Sequence, residues 1–216
     1  MSRDDPDAWT PPAPTPRAAQ GVRGALGGSR LFEQPQWRHE REAFDRFIAQ
    51  PGPLDVEVGF DFGGRLLDHA TRWPERLWLG LEVREARCVA LAERAPPNLH
   101  VWRADARTVF NILMPEARVD RVDILFPTPW WDDAKRAKRL LLTAQFVEDL
   151  RRALKPTGVV AVATDVGPYF THVEALFAGW ARAAWPPCGE VPSRRERVCA
   201  RDNLPVYRAA FSPPRA

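Results

Sequence analysis

A chain of 216 residues, 45% hydrophobic and 27% charged, has room for one sizeable core and reads as neither a wholly disordered nor a membrane protein. Its formal net charge of +3 permits nucleic-acid binding without requiring it, and no apolar run reaches the ~18 residues of a membrane span. The three cysteines, Cys88, Cys188 and Cys199, lie far apart with no metal-ligand spacing, which argues against a disulfide framework or a zinc site, so no metal is expected.

The chain opens on Arg3, Asp4, Asp5 and Asp7, without the basic-then-apolar order of a secretory signal, so a cytoplasmic location is expected. Pro6, Pro11, Pro12, Pro14 and Pro16 follow among alanine, glycine and charge. Such a stretch buries too little apolar surface to offset the entropy of ordering, which predicts a disordered tail over 1–28 ahead of a single domain over 29–216. Phe44, Phe47 and Ile48 have helical spacing and place a helix within 31–48. β-rich runs come next at Leu54–Val58, Leu77–Leu81, Leu99–Trp102, Val119–Phe126 and Val159–Ala163. The stretches between them read as helices at Gly64–Arg72, Glu85–Arg94, Thr108–Met114 and Ala144–Leu154, the last stopped by Lys155-Pro156-Thr157-Gly158. A further helix is expected from Pro168 to Trp185, then a last strand over Pro205–Phe211 beside a less obvious partner near Ala183. This alternation predicts a Rossmann-like α/β fold, a seven-stranded, mostly parallel sheet with helices on both faces and one antiparallel strand.

In an open parallel sheet, ligands bind beyond the carboxyl ends of the strands, and this sequence repeatedly puts polar groups there. The first strand runs into Glu57-Val58-Gly59-Phe60-Asp61-Phe62-Gly63-Gly64, where glycines let backbone approach a ligand near a helix start. The second ends in Glu82, twenty-five residues after Glu57, an acid placed to accept hydrogen bonds from both ribose hydroxyls of an adenosine. A dinucleotide-binding domain shares that pair but prefers G-x-G-x-x-G, whose middle position is Asp61 here. Asp105 closes the third strand, where it can meet an adenine edge or simply cap the helix that starts at Ala106. The fourth strand ends in Phe126-Pro127-Thr128-Pro129-Trp130, two prolines stiffening the exit around one presented side chain. Lys135, Arg136, Lys138 and Arg139 follow, and Arg194, Arg195, Arg197 and Arg201 form a second basic cluster; each suits either RNA phosphates or a solvated helix face.

Together with Leu154 to Gly158, Ala163-Thr164-Asp165 and Ser193-Arg194-Arg195-Glu196, these motifs resemble the tRNA (guanine-N7)-methyltransferases in order and spacing over 54–211. The resemblance implies a class I methyltransferase using S-adenosylmethionine, with tRNA as partner. It implies that Glu57, Gly59, Gly63, Glu82 and Asp105 hold the cofactor, that Asp165, Ser193 and Glu196 face the target guanosine, and that Lys135, Arg136, Lys138 and Arg139 meet phosphates. Thr128 stands where the family has its catalytic aspartate, Asp61 where it has the central glycine of the cofactor turn, and Asp132 and Asp133 where its basic run normally begins. The resemblance therefore implies a diverged member, and it leaves open an impaired or inactive protein that binds RNA or a protein partner.

Overall fold

A computed structural model describes residues 35–128 and 140–214. The expected tail over 1–28 and the basic residues Lys135, Arg136, Lys138 and Arg139 lie outside the described residues. Helix α1 (Pro35–Ile48) leads into β1 (Leu54–Val58), α2 (Gly64–Arg72), β2 (Leu77–Glu82), α3 (Glu85–Ala92) and β3 (Leu99–Arg103). A short helix α4 (Ala106–Thr108) then runs into one π-helical turn (Val109–Leu113). After it come β4 (Val119–Leu125), α5 (Ala144–Ala153), β5 (Leu154–Thr164), α6 (Gly167–Leu176), β6 (Ala181–Ala183), α7 (Arg194–Arg201) and β7 (Tyr207–Ser212).

The strands form one sheet in the order β3-β2-β1-β4-β5-β7-β6. Its first five members are parallel, and β7 alone runs antiparallel to its neighbours β5 and β6. The expected Rossmann-like sheet is therefore present, with the order reversing between β1 and β4, the crevice where such sheets bind ligands.

Strand periodicity sorts the two faces. Leu54, Val56 and Val58 of β1, Leu79 of β2, Val122 and Ile124 of β4 and Val160 and Val162 of β5 share one apolar cluster with Phe44, Phe110, Phe146, Tyr169 and Val173 from the helical segments. Burying these side chains, at ~1.5–3 kcal/mol each, is the main stabilising term of the fold. The opposite face carries a smaller cluster of Phe60, Leu66, Ala70, Trp78, Cys88, Leu91 and Leu99, under α2 and α3. Beside it the intervening strand positions are charged, and Asp55, Glu57, Arg121 and Asp123 are all buried.

Three expectations change. Helix α5 does end at Ala153, before Lys155–Gly158, but that segment is a bulge inside a longer β5, since Leu154 pairs with Val119 and Val159 with Arg121. Its Lys155 ammonium is tied to Asp120 at 2.8 Å. The helix expected from Pro168 to Trp185 stops at Leu176, because 181–183 is drawn into an edge strand by pairing with β7. Helix α7 was not foreseen, although a Ser193/Glu196 capping box opens it: the Ser193 hydroxyl accepts the Glu196 N–H at 3.2 Å, and Glu196 Oε2 accepts the Ser193 N–H at 2.7 Å. Among the described residues, no helix is long and apolar enough to cross a membrane.

Candidate active site

Backbone hydrogen bonds hold the strand exits side by side along the carboxyl edge of the sheet. The Gly59 N–H donates to the Leu81 carbonyl at 2.7 Å, the Ala104 N–H to the Glu82 carbonyl at 3.1 Å, and the Phe126 N–H to the Ala163 carbonyl at 2.7 Å. The strand ends and following turns that carry Glu57, Glu82, Asp105, Thr128 and Asp165 are thus neighbours, as sequence order suggested.

The turn after β1 needs left-handed backbone at three places, Gly59 (φ 74°), Asp61 (φ 52°) and Gly63 (φ 71°). Gly63 requires glycine on a second ground, because a Cβ there would lie 2.4 Å from Leu91 Cδ2. At Gly59 an added Cβ would meet nothing within 4 Å, so the turn is open to a ligand on that side. Aspartate is among the few residues that adopt this conformation at modest cost, which explains how Asp61 can occupy the turn. Its charge is not left bare: Arg84 Nη2 and Arg87 Nη1 each lie 3.2 Å from Oδ1, and Arg194 Nη1 lies 3.9 Å from Oδ2.

The other acids are engaged as well. Glu57 is almost fully buried on β1 and accepts from Arg65 at 2.8 Å, while Arg65 also donates to Asp123 at 2.8 Å. Arg121 grips Asp123 through two bonds of 2.8 Å and donates to the Pro187 carbonyl at 2.7 Å. Arg76 holds Asp55 at 2.6 and 2.7 Å. Three carboxylates and three guanidiniums, of which only Arg76 is partly exposed, thus form a charge-balanced ladder beneath the site. Burial alone would raise the Asp123 carboxyl, yet the guanidiniums of Arg65 and Arg121 hold it below its ordinary value. Glu57, with Arg65 as its hydrogen-bonding cation, is driven up by burial.

Glu82 is buried at the end of β2. Its Oε1 accepts from the Val83 N–H (2.8 Å), the Arg84 N–H (3.1 Å) and Arg84 Nε (3.2 Å), and its Oε2 from Arg84 Nη2 (3.0 Å). Against the cost of burial, these bonds hold its carboxyl below the usual value, so it is ionised and ready to accept from a ligand. Asp105 caps α4, accepting the Arg107 N–H at 2.9 Å, and also pairs with the Arg107 guanidinium. Asp165, at the exit of β5, pairs with Arg195 of α7. Glu196 completes its capping box and accepts from Arg208 of β7 at 2.8 Å. Helix α7 is thereby fastened at three points, to the β1 turn by Arg194, to the β5 exit by Arg195 and to β7 by Glu196. Arg194 and Arg195 therefore lie at the carboxyl edge of the sheet.

At the β4 exit Phe126 has φ 51°, a conformation that a bulky residue rarely adopts, and Thr128 stands exposed two residues on. Pro129 and Trp130 lie outside the described residues. Sequence reasoning missed Arg65, Arg84, Arg87 and the Asp123 ladder. Only the alternation of charge with valine in Asp55-Val56-Glu57 and Arg121-Val122-Asp123, inside strands buried on both faces, signalled the ladder. Among the described residues, no three His, Cys, Asp or Glu side chains are grouped to hold a metal.

The family model described as "Putative methyltransferase" matches residues 51–183. The tRNA (guanine-N(7)-)-methyltransferase of Pseudomonas putida is 35% identical over 134 residues, which cover 60% of this chain and 55% of that protein. The enzyme of that name from Yersinia pestis is 36% identical over 136 residues, covering 61% and 56%. The chain thus spans little more than half the length of these curated relatives. Among solved structures, the aminoglycoside resistance methyltransferase NpmB1 superposes with a TM-score of 0.55 at 20% identity, covering 80% of this chain and 93% of that one, a likeness of fold alone.

Proposed function

We propose that this chain, which belongs to the S-adenosylmethionine-dependent methyltransferase family as a diverged relative of the tRNA (guanine-N7)-methyltransferases, transfers a methyl group to guanine N7 of tRNA. Membership of the family is given by a match over more than half of the chain. The target atom is inferred from the 35–36% identity to enzymes of that name. The observation that carries the reading is the β1 turn: an open face at Gly59 flanked by the buried, ionised Glu82 carboxylate, at the reversal point of the sheet.

S-adenosylmethionine supplies a methyl group activated by a sulfonium, which the uncharged N7 lone pair takes without a base because no proton leaves. The residues present fit that cofactor. Glu82 would accept the two ribose hydroxyls, Gly59 would let backbone lie against the cofactor, Gly63, packed on Leu91, would shape the turn, and Asp105 would meet the adenine edge once Arg107 turns aside. Glu57 would act from beneath, held by Arg65 as part of the rigid, charge-balanced frame. Asp165, Ser193 and Glu196 would orient the guanosine edge, and Thr128 would offer one neutral hydroxyl at the position of the family aspartate. Rate then comes from alignment of N7 with the methyl carbon and from carboxylate balance of the positive charge. Lys135, Arg136, Lys138 and Arg139 would meet tRNA phosphates, and the protein would act in the cytoplasm.

A second reading, a methyltransferase-fold protein that binds RNA or a protein partner without transferring methyl, is favoured by one observation. Of the acids carried over from the family, Glu57, Glu82, Asp105, Asp165 and Glu196 each already hold an arginine. One experiment separates the two. Calorimetric titration with S-adenosylhomocysteine, followed by mass spectrometry of N7-methylguanosine in unmodified tRNA, should give binding and slow product formation. Thr128→Asp should then raise turnover by up to about 10²-fold with little change in cofactor affinity. A silent titration removes the enzyme reading; binding with no product from either protein moves the weight to the second.

A further inference from the structure

Asp61 stands at the meeting point of two halves of the site. Arg84 bridges two carboxylates with a single guanidinium, its Nη2 lying 3.0 Å from Glu82 Oε2 and 3.2 Å from Asp61 Oδ1. Arg87 reaches the same Asp61 oxygen and packs its guanidinium 3.2 Å from the centroid of the half-exposed Phe62 ring. Arg194, in the first turn of α7, sits over the same ring at 5.1 Å and approaches the other Asp61 oxygen at 3.9 Å. Three cations from the β2 exit, α3 and α7 thus share one carboxylate, and Arg194 has the longest and most exposed contact, with 60% of its side chain accessible.

We propose that Asp61 is a positioning residue that couples occupancy of the adenosine side to RNA binding at α7. The inference rests on the methyltransferase reading above. A ribose that donates two hydroxyls to Glu82 competes for the oxygens that Arg84 now occupies. Arg84 loses that partner and turns its whole charge to Asp61, at a distance it already spans. An Asp61 carboxylate better neutralised by Arg84 attracts Arg194 less, whereas Arg87 stays fixed by its packing on Phe62. Arg194 is then free for an RNA phosphate. The order of binding follows: cofactor first, RNA second, with Arg194 as the phosphate contact that cofactor releases. The same coupling runs in reverse, since two ligands linked through one equilibrium change each other's affinity by the same factor.

The test measures binding of an unmodified tRNA transcript by fluorescence anisotropy, with and without saturating S-adenosylhomocysteine, which contains the ribose but has no methyl group to transfer. In the unaltered protein the tRNA Kd should fall about fivefold when S-adenosylhomocysteine is present, the low end of known couplings because the groups are exposed. Asp61→Asn keeps a residue that tolerates the left-handed turn. It should bind tRNA equally with and without S-adenosylhomocysteine, at the tighter affinity. Arg194→Gln should also abolish the dependence, at the weaker affinity, while its S-adenosylhomocysteine Kd stays that of the unaltered protein. Arg84→Gln should bind S-adenosylhomocysteine more tightly, because the competitor on Glu82 is gone. The proposal is overturned if S-adenosylhomocysteine binds and leaves the tRNA Kd of the unaltered protein unchanged, or if Asp61→Asn retains the fivefold effect. Those results leave the methyltransferase reading standing. Failure of the unaltered protein to bind S-adenosylhomocysteine overturns both.

Discussion

Removing Arg65 tests the claim that the ladder beneath the site is a single electrostatic unit. Its guanidinium serves Glu57 and Asp123 at once, and both carboxylates are at most 3% exposed. In Arg65→Met the methionine fills most of the volume, so the loss is one of charge rather than packing. Asp123 keeps its two bonds to Arg121, whereas Glu57 loses the cation bonded to it. Breaking a buried pair by deleting one partner costs about 3–5 kcal/mol, and the surviving Arg121 contact places this case near the lower limit, about 3 kcal/mol. At about 2–4 °C per kcal/mol for a chain of this size, the melting temperature should fall by roughly 6–12 °C.

The pH dependence supplies a sharper signature. Burial already raises the Glu57 carboxyl with its partner in place, and without Arg65 it rises further above its unfolded value. The native state then binds the proton more tightly than the unfolded state, so stability is present at low pH and is lost as pH rises through the folded value. The deficit of Arg65→Met should therefore be larger at pH 8 than at pH 5, read by guanidinium denaturation at both. Pairing it with Glu57→Leu removes the stranded charge and leaves Asp123 with Arg121 and Asp55 with Arg76, so stability should return to within about 1 kcal/mol of the starting protein. A deficit under 1 kcal/mol, or one indifferent to pH, would show that Glu57 does not depend on Arg65 and that the ladder is not one electrostatic unit.

Two further outcomes follow from the same geometry. His69 is buried and accepts the Gly189 N–H on Nε2 at 2.9 Å; burial, then the nearby Arg65 charge, push it down to about 3, so it stays neutral in the native state. Its contribution is lost as pH falls from about 6.5 toward 3, at up to ~1.4 kcal/mol per pH unit, and His69→Gln should flatten that acid limb in denaturant titrations; an unchanged slope sinks the assignment. Ser193→Ala removes the capping box and should cost about 1 kcal/mol, seen as faster amide hydrogen exchange through α7, and unaltered exchange there would show that the arginine tethers alone hold the helix.

The sheet was legible because its strands obey simple rules. Leu54–Val58 and the other parallel strands are short, β-branched or apolar, and separated by helical stretches, so element order followed from alternation alone. What failed to show was what depends on tertiary partners. The sequence around 181–183 is rich in alanine, a helix former, and becomes strand only because β7 offers it hydrogen bonds. Helix α7 was hidden for another reason: its mean composition is charged, and its start is written in the Ser193-Arg194-Arg195-Glu196 spacing rather than in an apolar stripe. In the candidate site, the acids could be placed at strand exits by counting, but not their arginines. Arg65 lies eight residues from Glu57 and fifty-eight from Asp123, and a residue that joins two strands through a helix has no local signature.

Exposure divides those arginine pairs into two kinds with different roles. Arg65 and Arg121 are buried, and displacing either strands a charge in a dry interior at a cost of several kcal/mol, so Glu57 and Asp123 belong to a frame that no ligand rearranges. Arg84, Arg195 and Arg208 are 54%, 43% and 47% exposed, whereas Glu82, Asp165 and Glu196 are 4%, 16% and 17% exposed, so water solvates a displaced guanidinium but each carboxylate then needs a new donor. A ligand hydroxyl can supply that donor, and a phosphate can take up the released guanidinium. An arginine on every acid of the candidate site is therefore not equivalent to a closed site: on the proposed reading a ligand would exchange with the protein's own cation at Glu82, Asp165 and Glu196, and not at Glu57. A fixed, charge-balanced floor beneath a rim of half-exposed arginines suits the proposed site, because the floor holds the strand exits in place while the rim arginines can change partners.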